Sequence, residues 1–255
     1  MFLIALKSKT LQRTPMRRKM KSAFFTLIIM TTFLISNSIM FAQSAFLEDG
    51  QSATAVSAAF ASNKDAFSIG GTMAFSIKGR FDIRLTLGLA SYSTIHYSGT
   101  VFSPTFELQI MKCSPQHPVG LSAGFSVETA TYTDDYNLQA ELSNADISLF
   151  GNIYHNFSLG KGVIVQPAYE LHYLRGISQS HEVFSYRQYY YYFGYFGYID
   201  HSSSQTAETN IESWLHIVGL TFSFKTSPST QLVATPSIAM TSKLTTWGAE
   251  LGIIF

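Results

Sequence analysis

The sequence predicts an all-β fold: a closed, antiparallel, up-and-down transmembrane β-barrel of about ten strands. Three observations predict it. First, apolar residues alternate with small or polar ones in segment after segment from Ser52 to Phe255, the period-two pattern of strands with two unlike faces. Second, beyond Phe41 no apolar run approaches the ~18 residues of a membrane helix. Third, the apolar faces carry no Asp, Glu, Lys or Arg, whereas Asp82, Arg84, Glu107, Glu128, Asp146, Glu170 and Glu250 stand on the opposite faces. A membrane chain that cannot cross with helices has one way left to satisfy its backbone in hydrocarbon, and that is ring closure.

Composition agrees. Charged residues are 13% of the chain, against about a quarter in ordinary soluble domains, and aromatic residues are 15%. The net charge of +1 offers no basis for binding nucleic acid. Cys113 is the single cysteine, which excludes an intramolecular disulfide and a cysteine zinc cluster. Nothing in the sequence calls for a cofactor.

Taken in order, the chain opens with a leader. Arg17, Arg18, Lys19 and Lys21 form a basic cluster, Ala23 to Ile35 an apolar core, and Ala42-Gln-Ser44-Ala45 a small-residue cleavage zone. These are the three parts of a secretory signal peptide. Residues 1–44 therefore read as signal, with Met16 or Met20 as alternative starts, and residues 45–255 as the barrel. An uncleaved anchor is the weaker reading, because Ser36-Asn-Ser38 interrupts the apolar stretch.

The strands follow. A weak one covers Ser52–Ser62. The next place Phe67, Ile69, Met73, Phe75 and Ile77 outward, then Phe81, Ile83, Leu85, Leu87 and Leu89. Phe106, Leu108 and Ile110 mark the fourth, and Val119, Leu121, Phe125 and Val127 the fifth. Ile147, Leu149, Ile153 and Phe157 mark the sixth, and Val163, Val165, Tyr169, Leu171 and Tyr173 the seventh. Trp214, Val218, Leu220, Phe222 and Phe224 define the eighth, with Leu232, Ala234, Ile238 and Met240 on the ninth. Merging or splitting the first strand would give eight or twelve. The inward faces are rich in Gly, Ala, Ser and Thr, which suits a crowded lumen. Phe67, Phe81, Tyr173, Trp214, Trp247 and Phe255 sit at the ends of apolar faces, where interfacial aromatics belong. If both ends of the barrel domain lie on one side, the connections there (Lys78–Arg80, Lys112–Pro118, Leu159–Gly162, Lys225–Thr230) are short. Three on the other side, Ser91–Thr100, Thr131–Asn144 and Gly176–Asn210, are long external loops.

The tenth strand carries a further signal. Trp247, Ala249, Leu251, Ile253 and Phe255 share one face, ending on an aromatic residue, and Gly248, Glu250, Gly252 and Ile254 share the other. This stretch resembles the terminal strand of bacterial outer-membrane β-barrel proteins, the small single-chain barrels of the porin-like and OmpA-like kind. The resemblance covers these residues alone. It implies an outer-membrane location in a Gram-negative-type envelope, with lipid and lipopolysaccharide as surroundings. It also implies that Trp247, Leu251, Ile253 and Phe255 form a signal to the barrel-assembly machinery.

Four patterns could carry chemistry. Gly120-Leu-Ser122-Ala-Gly124 spells a nucleophile elbow, but that motif needs a strand-to-helix turn and here lies within an alternating run; a lumen stripe of small residues is the expectation. Arg84, Glu107, Glu128, Glu170, His172 and Glu250 form an expected lumen charge network, with Arg84 and Glu107 on neighbouring strands and facing each other. Its excess of carboxylates leaves open a narrow, weakly cation-preferring pore. Glu170 and His172 share one face and invite a hydrolase reading, yet no second partner for His172 is visible: His96, His117, His181 and His201 fall in connections, and His155 and His216 face outward. No two histidines recur at a ligand-like spacing, so no metal is expected. Finally, Tyr186, Tyr189, Tyr190, Tyr191, Tyr192, Tyr195 and Tyr198 crowd into the longest external segment. Tyrosine supplies large contact area at low entropy cost, which fits a binding surface for glycan, protein or lipopolysaccharide, or a strand extension packing on itself. The first expectation for the whole chain is a non-enzymatic surface-binding or structural barrel; the second is the pore, and the third an outer-membrane hydrolase.

Overall fold

The computed structural model describes residues 43–48, 50–92, 97–134, 140–160, 162–192, 195–242 and 244–255, with the backbone alone for residues 43, 44, 134, 140 and 182–203. Residues 1–42 of the signal read at 1–44, and His96 in the third connection, lie outside the described residues.

Eleven strands are formed: β1 (Ala53–Ser62), β2 (Ala66–Ile77), β3 (Phe81–Tyr92), β4 (Tyr97–Met111), β5 (Gly120–Asp134), β6 (Ala140–Tyr154), β7 (Phe157–Gly160), β8 (Val163–Tyr192), β9 (Tyr195–Ser227), β10 (Thr230–Met240) and β11 (Thr245–Ile254). Every pairing is antiparallel between chain neighbours, except that β1 pairs β11 and β6 pairs β8, which closes the sheet on itself. The short β7 is the lower end of the sixth wall strand. Tyr154 pairs Ala168 and Phe157 pairs Val165, so the register is unbroken, and the gap lies opposite Pro167, which has no N–H to give the ladder. His155 N–H still donates to the Pro167 carbonyl at 3.2 Å. The wall therefore has ten strands.

The stagger of the ring follows from the register. From Ala58 one route runs through Gly71, Leu87, Phe102 and Thr129 to Ala145. The other runs through Leu251, Ala234, Phe222 and Val165 to Phe157 on the same wall strand, twelve residues further on. Such a shear on ten strands tilts them by about 35–45° to the barrel axis.

The expected faces hold throughout. The outer surface is an apolar belt in which Leu87 is 65%, Leu251 64% and Leu149 59% exposed. Aromatic residues fringe it, with Phe67, Tyr173, Trp214 and Trp247 toward the upper end and Phe81, Phe157, Phe224 and Phe255 toward the end where β1 begins and β11 finishes. In water this belt would be an aggregation surface; in hydrocarbon it is the low-energy one. No helix among the described residues is long and apolar enough to cross a membrane.

The interior is layered. Near the upper end Tyr92, Val101, Ala130, Tyr132 and Leu142 pack together, the two tyrosines edge to face with centroids 5.3 Å apart, and Leu174, Leu215, Ile217, Ala239 and Leu244 form a second apolar group. Below these lies a polar and charged layer. At the lower mouth sit the last residue of the expected cleavage zone and the one after it: Ala45 packs on Tyr154, and Phe46 on Ala55, Val233 and Ile254. Asn156 donates to the Ala45 carbonyl at 3.2 Å and Lys112 Nζ to the Leu47 carbonyl at 2.7 Å.

One expectation needs correction. Among the described residues the three long external connections are mostly strand: β4 begins at Tyr97, β5 runs to Asp134, and β8 and β9 stay paired to Tyr192 and Tyr195, which is the strand extension weighed for the tyrosine-rich segment rather than an open loop. His181 and His201 are thus on strands rather than in a loop. Outside hydrocarbon neither face needs an apolar stripe, so the alternation disappears from the sequence while the backbone pairing continues.

Candidate functional site

The lumen charges sort into local groups set by register. Across β3–β4, Glu107 stands opposite Asp82 and Arg84 opposite Thr105, so the expected Arg84–Glu107 contact is diagonal. It is an ion pair at 2.6 Å, with side chains 3% and 1% exposed. Ser122 Oγ donates to the other oxygen of Glu107. Glu250, on β11, accepts from Ser57 Oγ on β1, and Arg84 and Glu250 line the same small cavity with Thr72 and Ala74. Glu128 is the direct cross-strand partner of Asp146.

Glu170 and His172 come together as the sequence suggested, with Glu170 Oε2 3.1 Å from His172 Nε2. The second partner that sequence reasoning could not find is Ser148, whose Oγ lies 3.0 Å from His172 Nδ1. Phe150 stacks on the imidazole, centroids 5.0 Å apart. Hydroxyl, imidazole and carboxylate in a chain form the order used by serine hydrolases. Here Ser148 is fully buried and His172 is 2% exposed, so the chain has no surface on which a substrate could settle. Its chemistry is that of a satisfied polar network. Ser148 could not have been singled out, because it is one serine in a lumen face full of them.

The Gly120-Leu-Ser122-Ala-Gly124 stretch is a lumen stripe on β5, as expected. Its glycines exist for space: a Cβ on Gly120 would lie 2.1 Å from the Tyr154 ring, and one on Gly124 2.2 Å from the Phe106 carbonyl. Gly124→Ala should therefore lower stability by about 1–3 kcal/mol through overpacking, measured as an earlier urea midpoint in detergent micelles; an unchanged midpoint would refute the packing role. Among the described residues no three of His, Cys, Asp and Glu gather as a metal-holding group.

On the outside, the belt gives way to polar groups along β8 and β9. The Tyr169 hydroxyl meets His216 Nδ1 at 2.7 Å, and the Tyr173 hydroxyl donates to Glu212 at 2.7 Å, with Arg175 cross-strand from Glu212. Above them β6 leaves its partner at Ala140–Glu182 and β10 leaves at Met240–His216, while β8 and β9 continue together. Among the described residues, 183–192 and 195–204 thus form a two-stranded ribbon paired only with itself. It carries all seven of the singled-out tyrosines, out of 14 in the chain, in rungs such as Tyr189–Tyr198 and Tyr192–Tyr195.

No protein-family model and no curated protein matches the chain. Solved structures do. The attachment invasion locus protein Ail of Yersinia pestis matches with 10% identity over 82% of this chain and all of that one, at a TM-score of 0.35. The translocator domain of the autotransporter NalP from Neisseria meningitidis matches with 10% identity over 93% of this chain and 97% of that one, at 0.47. The outer membrane protease OmpT from Escherichia coli matches with 8% identity over 80% and 91%, at 0.37. The likeness is one of fold.

Trp247, Leu251 and Ile253 all lie on the outer face of β11, and Phe255 joins them while exchanging two backbone hydrogen bonds of 2.9 Å with Thr54. The stretch read as an assembly signal is thus also one side of the closing seam.

Proposed function

We propose that the chain is an integral outer-membrane β-barrel, exported by the leader read at residues 1–44, and that its work is non-enzymatic surface binding by the β8–β9 ribbon. The observation that carries this reading is the contrast between the two candidate working parts. The lumen charges Arg84, Glu107, Glu128, Asp146, Glu170, His172 and Glu250 are buried, whereas the ribbon continues beyond the described residues of its neighbouring strands for ten residues on each side, about 33 Å at strand rise. A tyrosine-rich ribbon offers flat aromatic area and hydroxyls together, which suits stacking on sugar rings. The favoured ligand is therefore a glycan, including the saccharide of lipopolysaccharide. Contacts of the belt with outer-membrane lipid, and of Trp247, Leu251, Ile253 and Phe255 with the barrel-assembly machinery, complete the proposal.

The test replaces residues 183–204 by Asn-Gly, since Glu182 and Gln205 are cross-strand partners and that dipeptide makes a two-residue hairpin turn. The shortened barrel should fold, shown by retained heat-modifiable migration on gels, and should lose binding to a glycan array and to lipopolysaccharide. Equal binding by both chains would move the site elsewhere. Conductance in a planar bilayer tests the pore alternative. A closed lumen gives no discrete steps; steps whose selectivity changes with Glu107→Gln or Glu250→Gln would make the protein a channel instead.

A further inference from the structure

Directly beneath the upper apolar layer, the wall formed by β5, β6 and β8 carries a group of polar side chains that stands apart from the Arg84–Glu107 and Glu170–His172 contacts. Glu128 and Asp146 face each other across the β5–β6 ladder, 1% and 3% exposed. Like charges in that relation repel, and in a buried site the repulsion is strong. The β8 partner of Asp146 is Gly176, and a Cβ there would fall 1.5 Å from Asp146 Oδ1. The carboxylate therefore leans over β8 in room that only glycine leaves. One rung higher Asn144 pairs with Ser178, both inward and 3% and 1% exposed. Asp146 Oδ2, both amide atoms of Asn144 and Ser178 Oγ have no hydrogen-bond partner. Asp146 differs in this from three other lumen carboxylates: Glu107 has Arg84 and Ser122, Glu250 has Ser57, and Glu170 has His172.

We propose that this patch is a binding site for a hard divalent cation of the Ca2+ class, held by the carboxylates of Asp146 and Glu128 with neutral oxygens from Asn144 and Ser178. Two carboxylates balance a double positive charge and turn their repulsion into shared attraction. The donor set is oxygen only, which disfavours the softer transition metals. Calcium tolerates irregular geometry and six to eight oxygens, amide and hydroxyl among them, whereas magnesium demands a near-regular octahedron. Donors spaced by a sheet register meet the first requirement more readily than the second. A cation here would also fasten β5, β6 and β8 together just below the ribbon's base.

The experiment uses the full barrel refolded in lipopolysaccharide-free detergent, stripped with chelator and then given Ca2+ alone. Equilibrium dialysis with radioactive calcium should find one ion per chain. At a hundredfold excess over the dissociation constant, the folded-to-unfolded ratio should rise about a hundredfold, seen as a higher apparent unfolding temperature. Asp146→Asn should abolish both the bound ion and the shift. Asn144→Ala keeps both charges and should lower affinity at least about tenfold, the scale found when a supporting group of a metal site is lost. No Ca2+ bound by the wild-type chain would overturn the proposal and leave the carboxylates sharing a proton. Unchanged binding in Asp146→Asn would overturn it in favour of a surface site. If that variant does not fold, Asn144→Ala decides, and an unaltered affinity there refutes the site.

Discussion

Arg84→Met should be among the most damaging single changes in this chain. It strips the guanidinium from the buried pair with Glu107 and leaves that carboxylate buried opposite Asp82. Breaking one side of a buried pair costs about 3–5 kcal/mol, a large share of the stability a domain commonly has. The decisive comparison is the double variant Arg84→Met with Glu107→Gln, which removes both charges. Urea unfolding followed by the fluorescence of Trp214 and Trp247, both on the outer face, should show the single variant badly destabilised and the double variant recovering most of the loss. If the double variant is as unstable as the single one, the guanidinium matters for packing rather than for charge.

Leu87→Arg gives the second large effect, and its sign discriminates between environments. Leu87 stands at the middle of β3, 65% exposed, so in a water-soluble protein the change would be nearly neutral. On the lipid face of a barrel at mid-depth it costs about 2–4 kcal/mol. Unfolding measured in lipid vesicles should therefore show a marked loss for Leu87→Arg, and a much smaller one for the same change at Ile177. That residue is also outward and exposed but lies above the belt, two cross-strand pairs beyond Arg175 and Glu212. Equal costs at the two sites would argue against a hydrocarbon belt centred on Leu87.

The fold was legible because hydrocarbon imposes a strict rule on one face of every strand. Leu85, Leu87 and Leu89 could only be read one way, and each face assigned from such alternation is the face found. Where that rule lapses the sequence falls silent. From Gly176 to Asn210 the outward positions include Gln179 and Glu208, which hydrogen-bond to each other at 3.2 Å across the β8–β9 ladder, yet polar residues there look no different from a loop. The candidate site shows the same divide. Arg84 with Glu107, and Glu170 with His172, stood out as rare charges on a small-residue face. Ser57 beside Glu250 and Ser148 beside His172 were hidden among like neighbours, and Ser122, noticed only as part of another motif, gave no sign that it would meet Glu107. Phe46 was hidden for another reason: it follows a cleavage zone so closely that nothing in its surroundings suggested a stopper for the barrel mouth. Only register and depth, which the sequence does not encode locally, distinguish such residues.

The seam between β1 and β11 has a consequence for how the chain reaches its final state. Its two sides, Ala53–Ser62 and Thr245–Ile254, are separated by nearly the whole of the barrel sequence, and Phe255 itself ties the lower end to Thr54. Every other wall pairing joins chain neighbours and can form as soon as its second strand is present. The seam cannot form until synthesis and export have delivered residue 255. Any sheet that the earlier strands form before then would have two bare edges and one apolar face. Pairings of such long sequence separation are slow to form, and unpaired edges recruit other chains while they wait. The interval before β11 arrives is therefore the one in which this architecture is most open to pairing with other chains.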